Sequence, residues 1–168
     1  MANPEVWLAG PVGGVPPYLQ PAAHTLLQAL AEVAAVAPSV DTATLWRHAG
    51  AASPGFHLLH LAGALDRLLT YARGEMLSDV QKTAARAEAQ DQPELDGAAL
   101  IDIVSAAVER ALAQLSATDP STLLDARKIG RAGLPSTVIG CLFHAAEHSS
   151  RHAGQFISTV KLLQGLQA

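Results

Sequence analysis

Three of the seven histidines in the chain recur at four-residue intervals near its C-terminal end. They are His144, His148 and His152, in the segment HAAEHSSRHAGQ at 144–155. Residues four apart lie on one face of an α-helix, about 6 Å apart along its axis, so neighbouring imidazoles can converge on one ion. An apolar helix has no packing reason to carry a histidine at each turn. The spacing therefore predicts a metal site on a helix.

The elements that must position these residues are all predicted to be helical. Apolar residues recur at three- and four-residue steps over four long segments, at about 17–37, 54–74, 96–117 and 136–164. Residues 1–16 are rich in Gly and Pro and are predicted to form an extended leader. The chain shows no strand-like alternation of apolar and polar residues. We therefore expect one all-α domain over residues 1–168, a four-helix bundle.

The connection between the second and third long helices bears on the order of the bundle. Polar residues 75–95, with room for a short helix, could recross the bundle, so the two helices they join could run parallel. That gives an up-down-down-up order with a long crossover between helices two and three. The other two connections are also long, so a simple up-down-up-down order stays open.

Two of the three spaced histidines fall on the inward face of the fourth helix. His148 and His152 lie on its apolar stripe, and His60 lies on the stripe of the second helix. A bundle interior can bring such imidazoles together. One inward histidine alone is more often a satisfied core residue, but an inward pair with a third inward histidine favours a metal.

Three neutral imidazoles leave the coordination of a divalent ion incomplete. Water or substrate would take the remaining positions, which is typical of a catalytic rather than a structural site. Zinc, nickel and iron all accept imidazole; we expect zinc or nickel.

Composition limits the partners of the chain. A net charge of −4 with scattered basic residues argues against nucleic acid. No apolar run reaches the roughly 18 residues that cross a membrane, no signal peptide is evident, and the single Cys141 fits a reducing cytoplasm. Charged residues make up only 15%, which predicts apolar surface left over for self-association as a homodimer.

Two segments together resemble the DinB/YfiT-like superfamily. They are FHLLHLAGALDR at 56–67 and HSSRHAGQ at 148–155, and the resemblance extends from about residue 17 to 163. It implies an up-down-down-up bundle, often dimeric, with a divalent metal on His60, His148 and His152. Relatives include thiol-dependent transferases and isomerases that use low-molecular-weight thiols such as mycothiol or bacillithiol, and many other members have no known activity.

Four further side chains are candidates for the wall of the site. His57 could be a substitute ligand or a wall residue, and His144 a neighbour of the ligands. Gln155 could hydrogen-bond at the site, and Tyr71 could supply a hydroxyl, although core packing is its default role.

Other chemically able residues have ordinary explanations. Cys141 is expected to be a small buried hydrophobe. Glu147 is tempting as a general base, but it lies about 100° around the helix from His148. Arg151, four residues on, is its expected ion-pair partner. Asp66 and Arg67 are expected to face solvent.

Three functions stay open. The first is a metal-dependent enzyme that transfers a low-molecular-weight thiol, or that hydrolyses a small molecule with metal-bound water. The second is a non-catalytic metal- or ligand-binding bundle, and the third is a metal-free structural bundle. No second catalytic group is apparent, so catalytic residues stay unassigned and hydrolysis is the weaker enzymatic version.

Overall fold

The structure, a computed structural model, describes residues 5–48 and 50–166. Within these residues it contains six α-helices and two short strands. They are α1 (Gln20–Val36), α2 (Thr42–Leu45), α3 (Pro54–Ala72), α4 (Asp79–Ala87), α5 (Gly97–Ala117), β1 (Ala126–Ile129), β2 (Leu134–Thr137) and α6 (Val138–Gly165). The four long helices are those predicted, and the all-α class is confirmed apart from the small sheet.

Polar caps set where the long helices begin. Ser53, ahead of Pro54, accepts a hydrogen bond from the Phe56 backbone N–H at 3.3 Å. Asp96 caps α5 in the same way, and Thr137 caps α6. Each cap satisfies a backbone donor that the first turn leaves free. The caps thereby define where α3 and α6 begin.

The four long helices enclose one apolar core. α3 packs against α6 and α5, and α1 packs against the same two helices. The largest fully buried side chains come from all four helices and from Leu19 and Leu45: Leu26, Val33, Leu58, Leu61, Leu65, Leu100, Leu115, Leu142, Phe156 and Leu163. Ile103 of α5 is 37% exposed, although it is apolar.

Contacts at both ends of α3 hold it against α5. Near its beginning, the Trp46 ring lies so close to Gly55 that a Cβ there would stand 2.7 Å from the ring. The Trp46 indole also donates to the Leu95 carbonyl at 3.0 Å. Near the other end, the Gln114 amide donates to the Leu69 carbonyl, also at 3.0 Å. The beginnings of α3 and α5 therefore lie together, and so do their ends.

The crossover between α3 and α5 contains α4, the short helix that its polar sequence allowed. Ser78 and Gln81 form a reciprocal capping box at its start. The Gln81 amide also donates to the Asp66 carboxylate at 2.7 Å. The expectation that Asp66 and Arg67 face solvent was wrong, since the crossover covers that side of α3 and leaves both half-buried.

A β-hairpin stands where the sequence predicted only a loop. β1 and β2 pair antiparallel, with Ala126 opposite Thr137. Gly130 and Gly133 in the turn have φ of +67° and +62°, values that glycine adopts without steric cost. The strands escaped prediction because four residues are too few to show a clear alternation.

The described part of the leader lies along α1. The Val6 backbone N–H donates to the Gln28 side chain at 3.0 Å. The Gln20 amide donates to the Val12 carbonyl at 2.9 Å. Residues 1–4 of the predicted leader lie outside the described residues.

Among the described residues, no helix combines the length and the apolar character that crossing a membrane requires.

Candidate metal centre

Three imidazoles from two facing helices converge inside the bundle. His60 lies in the second turn of α3, and His148 and His152 lie midway along α6. One ring nitrogen of each lies within 4.8 Å of the other two. The shortest approach is 3.1 Å, between Nε2 of His60 and Nε2 of His148. The structure thus brings together the three residues singled out as ligands.

Small side chains make room for the three rings. Ala145, Ser149 and Ala153 of α6 are buried around the histidines. His152 is the deepest of the three, at 8% exposed, whereas the His60 side chain is 26% exposed. The cluster is therefore shielded from solvent at His152 and partly accessible to solvent at His60.

A carboxylate from the crossover accepts a hydrogen bond from Nδ1 of His60, the ring nitrogen that faces away from His148. Oε2 of Glu88, the residue that follows α4, lies 2.8 Å from Nδ1 of His60. The Arg67 guanidinium donates to both oxygens of Glu88, one bond at 3.1 Å and the other very short. Because the carboxylate only accepts, Nδ1 of His60 carries the hydrogen. In the neutral form of His60, the lone pair is then on Nε2, the atom that faces His148.

His57 contacts Nδ1 of His152, just as Glu88 contacts Nδ1 of His60. The two Nδ1 atoms lie 3.1 Å apart, and His57 is 6% exposed. This contact uses one nitrogen of His152 and leaves its Nε2 available to a ligand. His57 itself lies outside the three-nitrogen group.

His148 is not fully satisfied by protein groups. Its Nδ1 is buried and has no hydrogen-bond partner among the described residues. Leaving a buried polar atom unpaired costs about 1–3 kcal/mol. This is a poor arrangement for histidines that serve only to pack.

The electrostatics favour the neutral imidazole at three of the histidines, His57, His148 and His152. Burial, followed by the neighbouring rings of His60, His148 and His57, lowers the pKa of His152 to about 3. Burial also lowers the pKa of His57 and of His148. Metal ligation requires the neutral form, so these shifts keep the lone pairs available.

Glu88 is ionised despite its burial. Burial raises the pKa of its carboxyl, but the hydrogen bonds from His60 and Arg67 and the Arg67 charge outweigh burial. The net shift is downward. The Glu88–Arg67 pair therefore brings a fixed negative and a fixed positive charge to the site.

The geometry fits a divalent metal. Two imidazole nitrogens bound at 2.0–2.1 Å in a tetrahedral site lie about 3.3 Å apart, close to the 3.1 Å between His60 and His148. The Glu88 contact to His60 is the carboxylate–histidine arrangement found around bound metals. Three nitrogens from two helices, with one open side, could hold such an ion.

The remaining predicted residues stand apart from the three rings. His144 is exposed, lies 5.4 Å from His148 between ring centres and contacts Glu147 at 3.3 Å. Gln155 is exposed, and Tyr71 lies near the far end of α3 against the core. Among the described residues, neither Gln155 nor Tyr71 hydrogen-bonds to the cluster.

The ordinary explanations offered for two other residues hold. Cys141 is buried, at 2% exposed. Glu147 pairs with Arg151 on the surface of α6.

Sequence reasoning missed Glu88 and gave Arg67 no part in the site. Glu88 lies in a polar stretch with no periodic pattern, where any of several acidic residues could have faced the bundle. A usable signal was Gly63, one turn beyond His60, because a helix interior rarely gains from glycine. A Cβ at Gly63 would collide with the Glu88 carboxylate and stand 2.8 Å from Arg67.

Four-helix bundles commonly build metal sites in their interior from side chains on facing helices. The fold and the three imidazoles place this chain in that class of proteins. The chain matches the model of the DinB superfamily over residues 3–156. It therefore belongs to the DinB superfamily, a metal-binding family. No curated protein matches the chain significantly.

The pKa of His152 predicts an acid-labile metal-free protein. The unfolded chain takes up a proton near pH 6.5, whereas folded His152 does so only near pH 3. The unfolded state therefore binds more protons between these values, and stability falls as the pH drops through this window. His152 alone contributes a slope of up to about 1.4 kcal/mol per pH unit.

Urea unfolding of the chelator-treated protein between pH 7 and pH 4 measures this slope. His152→Gln should flatten it, and His144→Gln, an exposed control, should not. Equal slopes in His152→Gln and the wild type would contradict the assignment.

Proposed function

We propose that the chain is a metalloprotein that binds one divalent ion through His60, His148 and His152. The observation that carries this proposal is the convergence of one nitrogen from each ring within 4.8 Å. The metal-binding character of the DinB superfamily supports it. Zinc or nickel is the proposed ion, since both accept imidazole ligands.

Residues around the ligands would hold them for the ion. Glu88 orients His60 through Nδ1, and His57 orients His152 through the contact between their Nδ1 atoms. With the hydrogen of His60 on Nδ1, and with Nδ1 of His152 donating to His57, both ligands would direct an Nε2 lone pair into the cluster. The protein would thereby spend little conformational entropy when the ion binds.

The open side of the cluster supports an enzyme over a structural metal site. Three protein ligands leave at least one position for an outside ligand, and His60 is partly exposed to solvent. When bound, the ion supplies Lewis acidity that lowers the pKa of a water or thiol beside it. The residues of this chain bind, orient and partly shield that ligand.

The proposed reaction is the transfer of a low-molecular-weight thiol to a small electrophilic substrate. Hydrolysis needs a base to move protons, and the nearby carboxylates are already engaged. Glu88 is held by His60 and Arg67, and Glu147 is held by Arg151. Thiol transfer asks less of the protein, because a thiol acidified at the site can lose its proton to solvent. A non-catalytic metal- or ligand-binding role is the alternative.

The arrangement of the helices is part of the proposal. We infer the up-down-down-up order, because α3 and α5 meet beginning to beginning and end to end, through Trp46 at one end and Gln114 at the other. Gly97, at the start of α5, lies against the Ala37 carbonyl just after α1. This order requires a long connection between α3 and α5, and Glu88 lies in that connection.

We also propose a homodimer formed through the α1–α6 face. This face exposes Trp7 and Phe143, at 61% and 66%. It contains two adjoining cavities of about 460 and 320 Å³ that share Pro21, Thr25 and Ser150. Light scattering should give twice the chain mass, and Phe143→Glu should give the monomer. A monomeric wild type at high concentration would contradict this interface.

Metal binding to protein purified without a histidine tag tests the proposed centre. We expect one ion per chain, and His148→Ala or His152→Ala should weaken zinc or nickel binding by more than about 100-fold, beyond the effect typical of outer residues. His48→Ala, in an exposed loop, is the control. Retention of wild-type affinity in both ligand variants would refute the centre.

Cobalt-loaded protein tests the reaction class. A thiol that enters the open position should change the visible absorption of the cobalt, and the change should disappear in His152→Ala. The thiols to test are small cysteine derivatives. An unchanged spectrum with every thiol, while cobalt stays bound, would reject thiol transfer and leave the binding role.

A further inference from the structure

Glu88 is the one acidic residue that links the crossover to the three-histidine cluster in the described part of the chain. Its side chain is 8% exposed, and its carboxylate bridges His60 on one side and Arg67 on the other. Buried carboxylates of this kind are rare unless they are paired. The fold therefore buries a carboxylate, which is unfavourable unless paired, in contact with the proposed ligand His60.

Gly63 provides the space that this carboxylate occupies. A Cβ at Gly63 would collide with Oε1 of Glu88 and lie 3.0 Å from its Cδ. A side chain at this position would therefore require the Glu88 carboxylate, whose other oxygen contacts Nδ1 of His60, to shift. The absence of a side chain at Gly63 and the position of Glu88 are thus two parts of one arrangement.

α4 has few other attachments to α3. No residue of α4 is buried. Its polar contacts to α3 run through Gln81, whose amide donates to Asp66 and to Thr70, each at 2.7 Å. The Glu88 contact therefore makes up much of what holds α4 on α3.

We propose that Glu88 is a positioning residue that couples docking of the crossover to metal binding at the histidine cluster. This inference rests on the proposed function. Docked Glu88 keeps the hydrogen of His60 on Nδ1 and directs its Nε2 lone pair towards His148. When the crossover undocks, the His60 ring is free to rotate and to change tautomer.

The coupling is reciprocal by thermodynamic linkage. If docked Glu88 strengthens metal binding, then a bound ion strengthens docking of α4 by the same factor. Losing an outer carboxylate partner of a ligating histidine weakens metal binding about 10–100-fold. We expect Glu88→Ala to fall in this range and Glu88→Gln, which keeps an acceptor oxygen, to lose less.

The first test separates positioning from ion-pair stability. Glu88→Ala leaves the half-buried Arg67 unpaired, which also lowers the stability of the metal-free fold. The double variant Arg67→Met with Glu88→Ala removes the stranded charge. We expect it to regain stability but not zinc affinity, whereas a merely structural Glu88 would regain both. Glu94→Gln, on the exposed part of the crossover, is the control.

The second test moves Glu88 without altering it or any ligand. Gly63→Ala raises the helix propensity of α3, yet it displaces the carboxylate. We expect zinc affinity to fall about 10-fold or more. Gly165→Ala, where a Cβ meets nothing within 4 Å, should leave it unchanged.

Amide hydrogen exchange in α4 measures whether metal binding strengthens the docking of α4. Zinc should slow exchange of the α4 amides in the wild type, but not in Glu88→Ala. Wild-type zinc affinity in both Glu88→Ala and Gly63→Ala, or α4 exchange insensitive to zinc, would overturn the coupling while the metal centre stands. A wild type that binds no metal would overturn both.

Discussion

The burial of several imidazoles between α3 and α6 is the constraint on which the rest of the structure depends. Burying these polar rings is unfavourable unless the protein provides partners for their nitrogens. The two helices pack against each other, and imidazole rings from both helices meet between them. Buried imidazoles are tolerated only when neutral and when their nitrogens have partners. The ionised Glu88 beside His60 and the His57 ring beside His152 meet that requirement, whereas Nδ1 of His148 is left without a partner among the described residues.

This requirement links parts of the chain that are far apart in sequence. The caps Ser53 and Thr137 define where α3 and α6 begin. The crossover returns along α3 and brings Glu88 to His60. Gly63 leaves the space for that carboxylate. The site is therefore a product of the whole fold, and changes well outside the ligands should affect it through the rings they hold.

Residue types and spacing were enough to predict the four long helices and the three converging histidines. A long helix repeats its apolar pattern over many turns, and an inward histidine is conspicuous on such a stripe. The hairpin was missed because its strands have only four residues each. Glu88 was missed because nothing local marks one acid of a polar stretch as buried; its burial depends on the path of the crossover. Arg67 was expected to be exposed for the same reason, because the sequence of α3 does not show which of its polar residues the crossover covers.

The central claim is that His60, His148 and His152 bind one divalent ion. Anomalous diffraction from crystals of the zinc- or nickel-loaded protein, recorded at the absorption edge of the metal, tests it most directly. We predict one strong peak per chain, within about 2.0–2.1 Å of a nitrogen of each of the three rings. The Glu88 carboxylate should remain on Nδ1 of His60. A metal peak elsewhere, or no peak between α3 and α6 in a crystal soaked with excess metal, would contradict the account.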